Sequence, residues 1–151
     1  MTEIAALVMA IALEMGVPPY FALAIAQEES GLNPAAISPE NSNGTRDYGV
    51  MQLNSQYKAY FIDLYWDKNH EFNWENPEDN IYLGCRIIKG LMEHPSINTY
   101  WVLAICYNAG CNWLLNGNPP PESSREYATR VMRRWEKESP VGAFAVISGK
   151  R

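Results

Sequence analysis

Cationic charge is scarce in this chain. Twelve lysines and arginines face seventeen aspartates and glutamates, a formal net charge of −5. Such a chain has no basic stripe with which to displace counterions from phosphates, so nucleic acid is not an expected partner. Histidine occurs only at His70 and His94, and cysteine only at Cys85, Cys106 and Cys111. No two cysteines have C-x-x-C spacing and the histidines stand apart from them, so no zinc site is expected. The same scarcity leaves a Cys-His hydrolase without a local signature. Cys106 and Cys111 can pair if the chain turns at Gly110; otherwise all three thiols act as small buried hydrophobes. Asn41, Asn43 and Asp47 offer oxygens, but the acidic spacing of a calcium loop is absent, so neither metal nor cofactor is expected. Long apolar runs are missing too. The stretch Ile4 to Leu13 is too short to span a bilayer, and it has neither a basic leader nor a small-residue cleavage site. Its apolar residues follow helical period, so it reads as a core helix, not an export signal.

What is present suits one globular domain. Hydrophobic residues make up 47% and charged residues 19% of 151 positions, enough to bury a core. Neither an internal repeat nor a linker divides residues 1–151, although the tail 141–151, apolar and then basic, has no functional reading. The first helix ends at Gly16, with Pro18 just beyond. Pro18 and Pro19 open a second, mostly apolar helix that runs to about Glu29 and ends at Gly31 and Pro34. Residues 35–54 form loop and hairpin around Asn43-Gly44, a strong turn signal. Ser55 can cap a third helix with Tyr57, Tyr60, Phe61, Leu64 and Tyr65 on its apolar face. Asn76-Pro77 opens a fourth helix that buries Ile81, Cys85, Ile88 and Met92. A fifth starts at Asn98 or Thr99 and ends at Gly110. Residues 112–122 read as loop. A capping box of Ser123 and Glu126 opens the last helix, which Pro140 ends. That helix turns Tyr127, Val131 and Trp135 inward and leaves Arg130, Arg133, Arg134 and Lys137 as a solvated face. The expected class is therefore mainly α with a small β-hairpin.

Two carboxylates carry the chemistry. Glu29 falls in the last turn of an apolar helix, where the negative end of the dipole, the neighbouring Glu28 and desolvation each raise a carboxyl pKa. A general acid at neutral pH needs that shift; the alternative is an ordinary surface glutamate. Glu28 itself reads as solvated or helix-capping. Asp47 follows the Asn-Gly turn, either as a second catalytic carboxylate or as a turn-former bonded to Arg46 or to backbone amides. A paired acid and anion across a turn-rich segment is what glycosidic cleavage requires.

Three motifs in order add a resemblance. Glu29-Ser30-Gly31-Leu32-Asn33-Pro34, Tyr48-Gly49-Val50-Met51-Gln52-Leu53-Asn54-Ser55 and Cys106-Tyr107-Asn108-Ala109-Gly110 resemble those of the goose-lysozyme-related lytic transglycosylases, the soluble lytic transglycosylase domain. The likeness runs from about Ile4 to Trp135. Cys106 replaces an alanine of the pattern, and Leu53-Asn54-Ser55 stands where many relatives have Leu-Met-Pro. The long connection carrying Asp47-Tyr48-Gly49 resembles both the secretion-system-associated branch and the hairpin of chicken-type lysozyme. The resemblance implies a lysozyme-like fold and Glu29 as catalytic acid. It places Ser38, Met51 and Gln52 at the substrate, Tyr107 beside Glu29, and Asn108 and Tyr127 along the cleft; by residue type alone Ser38 also reads as a turn former before Pro39, Met51 more often as core than contact, and Tyr107 as a core aromatic with a bonded hydroxyl.

It also implies the activity: cleavage of the β-1,4 bond between N-acetylmuramic acid and N-acetylglucosamine in peptidoglycan, with closure of a 1,6-anhydro ring. The expected setting is the periplasm or cell envelope, in a monomer that is not an integral membrane protein. The expected partners are glycan strands and, by the branch resemblance, a secretion machine or a phage virion. A lysozyme-type hydrolase using Glu29 and Asp47 is the alternative within the chemistry. A non-catalytic cell-wall-binding module is the alternative outside it.

Overall fold

Caps and breakers in the sequence mark out the helices. The computed structural model describes residues 1–56, 58–139 and 146–150, with Lys58 described by its backbone alone. Helix α1 spans Glu3–Met15; Thr2 caps it by accepting the Ala5 N–H at 3.1 Å, and Gly16 closes it in the left-handed conformation. Helix α2 spans Pro19–Ser30 and buries every residue from Phe21 to Ala26, so it lies deep. Strands β1, Asp47–Tyr48, and β2, Leu53–Asn54, form an antiparallel hairpin pairing Asp47 with Asn54 and Tyr48 with Leu53. Helices α3, Lys58–Tyr65, α4, Pro77–Glu93, α5, Tyr100–Ala109, α6, Asn112–Leu115, and α7, Glu122–Glu138, complete the described chain.

Five helices close a circuit: α2 packs on α1, α1 on α4, α4 on α5, α5 on α7, and α7 returns to α2. Phe21, Tyr100 and Trp135 meet inside it, with ring centroids 5.0–5.2 Å apart. Burying one such ring stabilises the fold by about 2–3 kcal/mol. The tail contributes as well: Val146 bridges to Thr99, and Ile147 is buried. Among the described residues no helix is long and apolar enough to cross a membrane.

Several local expectations are corrected. Tyr60 and Leu64 face solvent, because α3 rests on α4 through only part of its predicted apolar face, with Phe61 and Tyr65 packed against the core. The hairpin register sets Ser55 opposite Arg46, where its N–H donates to the Arg46 carbonyl and its Oγ accepts the Arg46 N–H, and the residue that precedes α3, Tyr57, is outside the described residues. Met92 is only half-buried. Residues 112–115 form the short helix α6 where loop was expected. Helix α7 starts at Glu122, one residue before the predicted box, because the proline run fixes an extended approach; Pro121 precedes it without a side-chain cap. Tyr57 and Pro140 lie outside the described residues, as does most of the 141–151 tail.

The hairpin hangs on one buried amide. Asn80, fully buried on α4, accepts the Met51 N–H at 2.8 Å and donates to the carbonyls of Tyr48 at 3.0 Å and Trp74 at 3.2 Å. Gly49 makes room for it. Its φ is +79°, and a Cβ there would sit 2.2 Å from the Asn80 amide nitrogen. Gly49→Ala is therefore expected to cost roughly 3 kcal/mol, from left-handed strain plus displaced buried hydrogen bonds. Urea denaturation checks it; a loss below about 1 kcal/mol would mean Asn80 can turn aside freely.

Candidate active site

The end of α2 is tied to the hairpin from below. Gly31 and Leu32 both adopt positive φ, 63° and 66°, so the chain reverses at once after Ser30. The Ser30 hydroxyl donates to the Val50 carbonyl at 2.7 Å and accepts the Asn33 N–H at 3.2 Å. The motif's serine, glycine and asparagine thus shape a fixed corner. Glu29 stands at that corner.

Glu29 is only partly exposed, and its Oε2 accepts the Tyr127 hydroxyl at 2.9 Å. Burial raises its carboxyl pKa to about 8; the Tyr127 hydrogen bond opposes this, while the charges of Asp47 and Glu28 add to it. The group is therefore largely protonated at neutral pH.

Asp47 lies in a cradle of neutral donors. Its carboxylate accepts the Asn54 amide at 2.8 Å and the Asn41 amide at 3.4 Å. Arg46 turns away, donating to the Ser38 carbonyl and lying 3.8 Å from Glu40. Among the described residues the carboxylate is thus hydrogen-bonded by amides and no salt bridge to it is formed. Its negative charge reaches both Glu29 and Tyr107, where it acts to raise their pKa values.

The other expected site residues are placed unequally. Tyr127 is buried at the base of the site and holds Glu29. Tyr107 is close enough for Glu29 to raise its pKa, but its hydroxyl donates to the Met51 carbonyl at 2.7 Å. Burial and the Glu29 charge keep both phenols well above the ordinary tyrosine value, so both stay neutral donors. Ser38 accepts the Asp47 N–H at 2.8 Å and so steadies the second carboxylate from behind. Gln52, at φ 53°, donates its side-chain amide to the carbonyls of Ala36 and Gly49 at 3.2 and 3.0 Å. Asn108 is exposed and accepts the Ser124 hydroxyl at 2.7 Å, joining α5 to α7. Met51 follows its core reading and not the substrate contact that the resemblance implies. Its side chain is fully buried against Gly84, so it supports the hairpin from the core and reaches no surface.

Cys106 and Cys111 form a disulfide that brackets the segment bearing Tyr107 and Asn108. Cys85 is buried, and burial pushes its thiol up to about 12. A nucleophilic thiolate therefore has no place here.

Sequence reasoning missed the surroundings of Glu28. Its side chain is only 8% exposed, and its two oxygens accept from Nε of Arg130 and Nε of Arg134, each at 2.6 Å. The basic face of α7 is thus not simply solvated. Burial acts to raise the Glu28 carboxyl, but the two guanidiniums outweigh it and hold the group below its ordinary value. Nothing in the sequence links position 28 to positions 130 and 134.

Comparison with known proteins follows the same lines. Residues 6–119 match the transglycosylase SLT domain. Protein IpgF of Shigella flexneri is 27% identical over 120 residues, which cover 79% of this chain and 72% of that protein. The milk isozyme of lysozyme C from Canis lupus familiaris is 30% identical over 87 residues, 52% of this chain and 61% of that one. An inactive mutant of the lytic transglycosylase Slt from Pseudomonas aeruginosa has a similar fold, with a TM-score of 0.73 at 16% identity over 95% of this chain. The chain spans only 26% of that structure's length.

Proposed function

The chain belongs to the transglycosylase SLT domain family, and from that premise we propose that it cleaves the β-1,4 bond between N-acetylmuramic acid and N-acetylglucosamine in peptidoglycan. One observation carries the reading: a desolvated carboxyl, raised to about 8, standing on a tyrosine hydroxyl within electrostatic reach of an amide-bonded aspartate. Protonated Glu29 gives its proton to the glycosidic oxygen as the bond to the anomeric carbon breaks. The ionised Asp47 stabilises the positive charge that develops on the sugar. Glu29, now a carboxylate, takes the proton of the muramic 6-hydroxyl as that oxygen bonds to the anomeric carbon. A 1,6-anhydro ring closes, no water is consumed, and Glu29 is protonated again. Ser38, Gln52, Asn108, Tyr107 and Tyr127 shape and steady the cleft around these two groups. The place of action would be the cell envelope, where the substrate lies.

The Asp47 cradle also favours a second reading, hydrolysis of the same bond, in which Asp47 steadies the cation until water arrives. Mass spectrometry of digested peptidoglycan separates the two. Fragments ending in anhydromuramic acid, one water lighter than reducing ends, are the expected result. Reducing ends would make the protein a lysozyme-type hydrolase, and intact glycan would make it a binding module.

A further inference from the structure

Two consecutive residues of α2 are gripped by one face of α7. Glu29 takes the Tyr127 hydroxyl at 2.9 Å, and Glu28 takes Arg130 and Arg134 at 2.6 Å each. Positions 127, 130 and 134 are three and four residues apart, so they line one stripe of the helix. An exposed ion pair on a helix surface contributes little, but this carboxylate is 8% exposed and both of its oxygens are taken. Stripping away its partners would leave an uncompensated negative charge on the residue next to Glu29.

We propose that Glu28, Arg130 and Arg134 form a positioning clamp, which pins the last turn of α2 to α7 so that Glu29 stays on Tyr127 and faces a fixed balance of charge. The clamp rests on the reading of Glu29 as the acid. The charged and titratable groups around Glu29 are Glu28 on its own helix, Asp47 on β1, Tyr107 on α5 and Tyr127 on α7, with Arg130 and Arg134 behind Glu28. Glu28 raises the Glu29 carboxyl, and the two guanidiniums offset Glu28. None of the three clamp residues needs to touch substrate, so they are positioning residues.

Glu28→Gln tests this, because the shape is kept while a like charge vanishes and two cations lose their counter-ion. Both changes favour the ionised form of Glu29. The alkaline limb of kcat/KM is expected to move about one pH unit lower, and kcat to fall about tenfold with KM little changed. Arg134→Gln keeps one arm of the clamp and leaves Glu28 less neutralised, so its limb should move the opposite way. A merely structural ion pair would shift melting temperature in both variants and the limb in neither. Carbon-13 NMR titration of the Glu29 carboxyl reads the same shifts without turnover. If wild type releases no fragments, the acid reading fails while the titration still decides the clamp. If the Glu29 titration in Glu28→Gln and Arg134→Gln coincides with wild type, the clamp is overturned.

Discussion

Glu29→Gln is expected to reduce peptidoglycan cleavage by ~10²–10⁴-fold, the usual cost of losing a positioned proton donor. Gln keeps the shape, and its carbonyl oxygen can still accept the Tyr127 hydroxyl, but it has no acid proton to give. Binding of glycan strands should persist, so the loss falls on kcat. Wild-type kcat/KM should itself fall about tenfold per pH unit above about 8, where Glu29 loses its proton. The Gln substitution should act on stability in the opposite sense to its effect on activity. Because the folded carboxyl is raised from 4.5 to about 8, its stabilising share is full below 4.5 and lost as pH rises to about 8. The Gln variant carries no such penalty and should melt at or above the wild-type temperature at pH 8. Turnover within tenfold of wild type would remove Glu29 from the acid's role. A lowered melting temperature would mean that the substitution had damaged the fold instead.

Much of this site was legible because it is local. The helix stop at Gly31, the Asn43-Gly44 turn and the Asn76 cap are short-range devices and all three form, but the paired strands β1 and β2 reverse at residues 49–52, not at the Asn-Gly turn expected to carry the hairpin. Breakers and all-round apolar content likewise marked α2, and helix period marked the inner face of α7. What escaped was long-range or one-sided. Apolar period cannot tell which part of α3 a neighbour will cover, so Tyr60 and Leu64 were placed inside. A methionine is by type more often core than contact, and the fully buried Met51 follows its type where the motif implied contact. A basic helix face is solvated by default, yet Arg130 and Arg134 meet a carboxylate more than a hundred residues upstream. The service of Asn80 to the hairpin appears only when α4 is placed beneath Gly49.

Asp47→Asn is expected to lower kcat by about 10²-fold while changing KM little, because a preorganised charge acts where positive charge develops in the transition state. The structure makes the substitution clean. The Asp47 carboxylate accepts amide donors from Asn54 and Asn41, and among the described residues it pairs with no cation, so Asn removes a charge without stranding a described guanidinium. One carboxamide oxygen can keep the Asn54 bond, and the Ser38 bond uses the Asp47 backbone N–H, which is untouched. Unfolding should therefore change little, by about 1 kcal/mol at most for the amide bond that is lost. The charge has a second signature. Asp47 acts to raise the Glu29 carboxyl, so its removal should also move the alkaline limb of kcat/KM to lower pH. A turn-former would behave differently, losing stability and leaving both kcat and the limb where they were. If the Asn variant turns over at the wild-type rate, Asp47 belongs to the hairpin alone and Glu29 works without a second carboxylate.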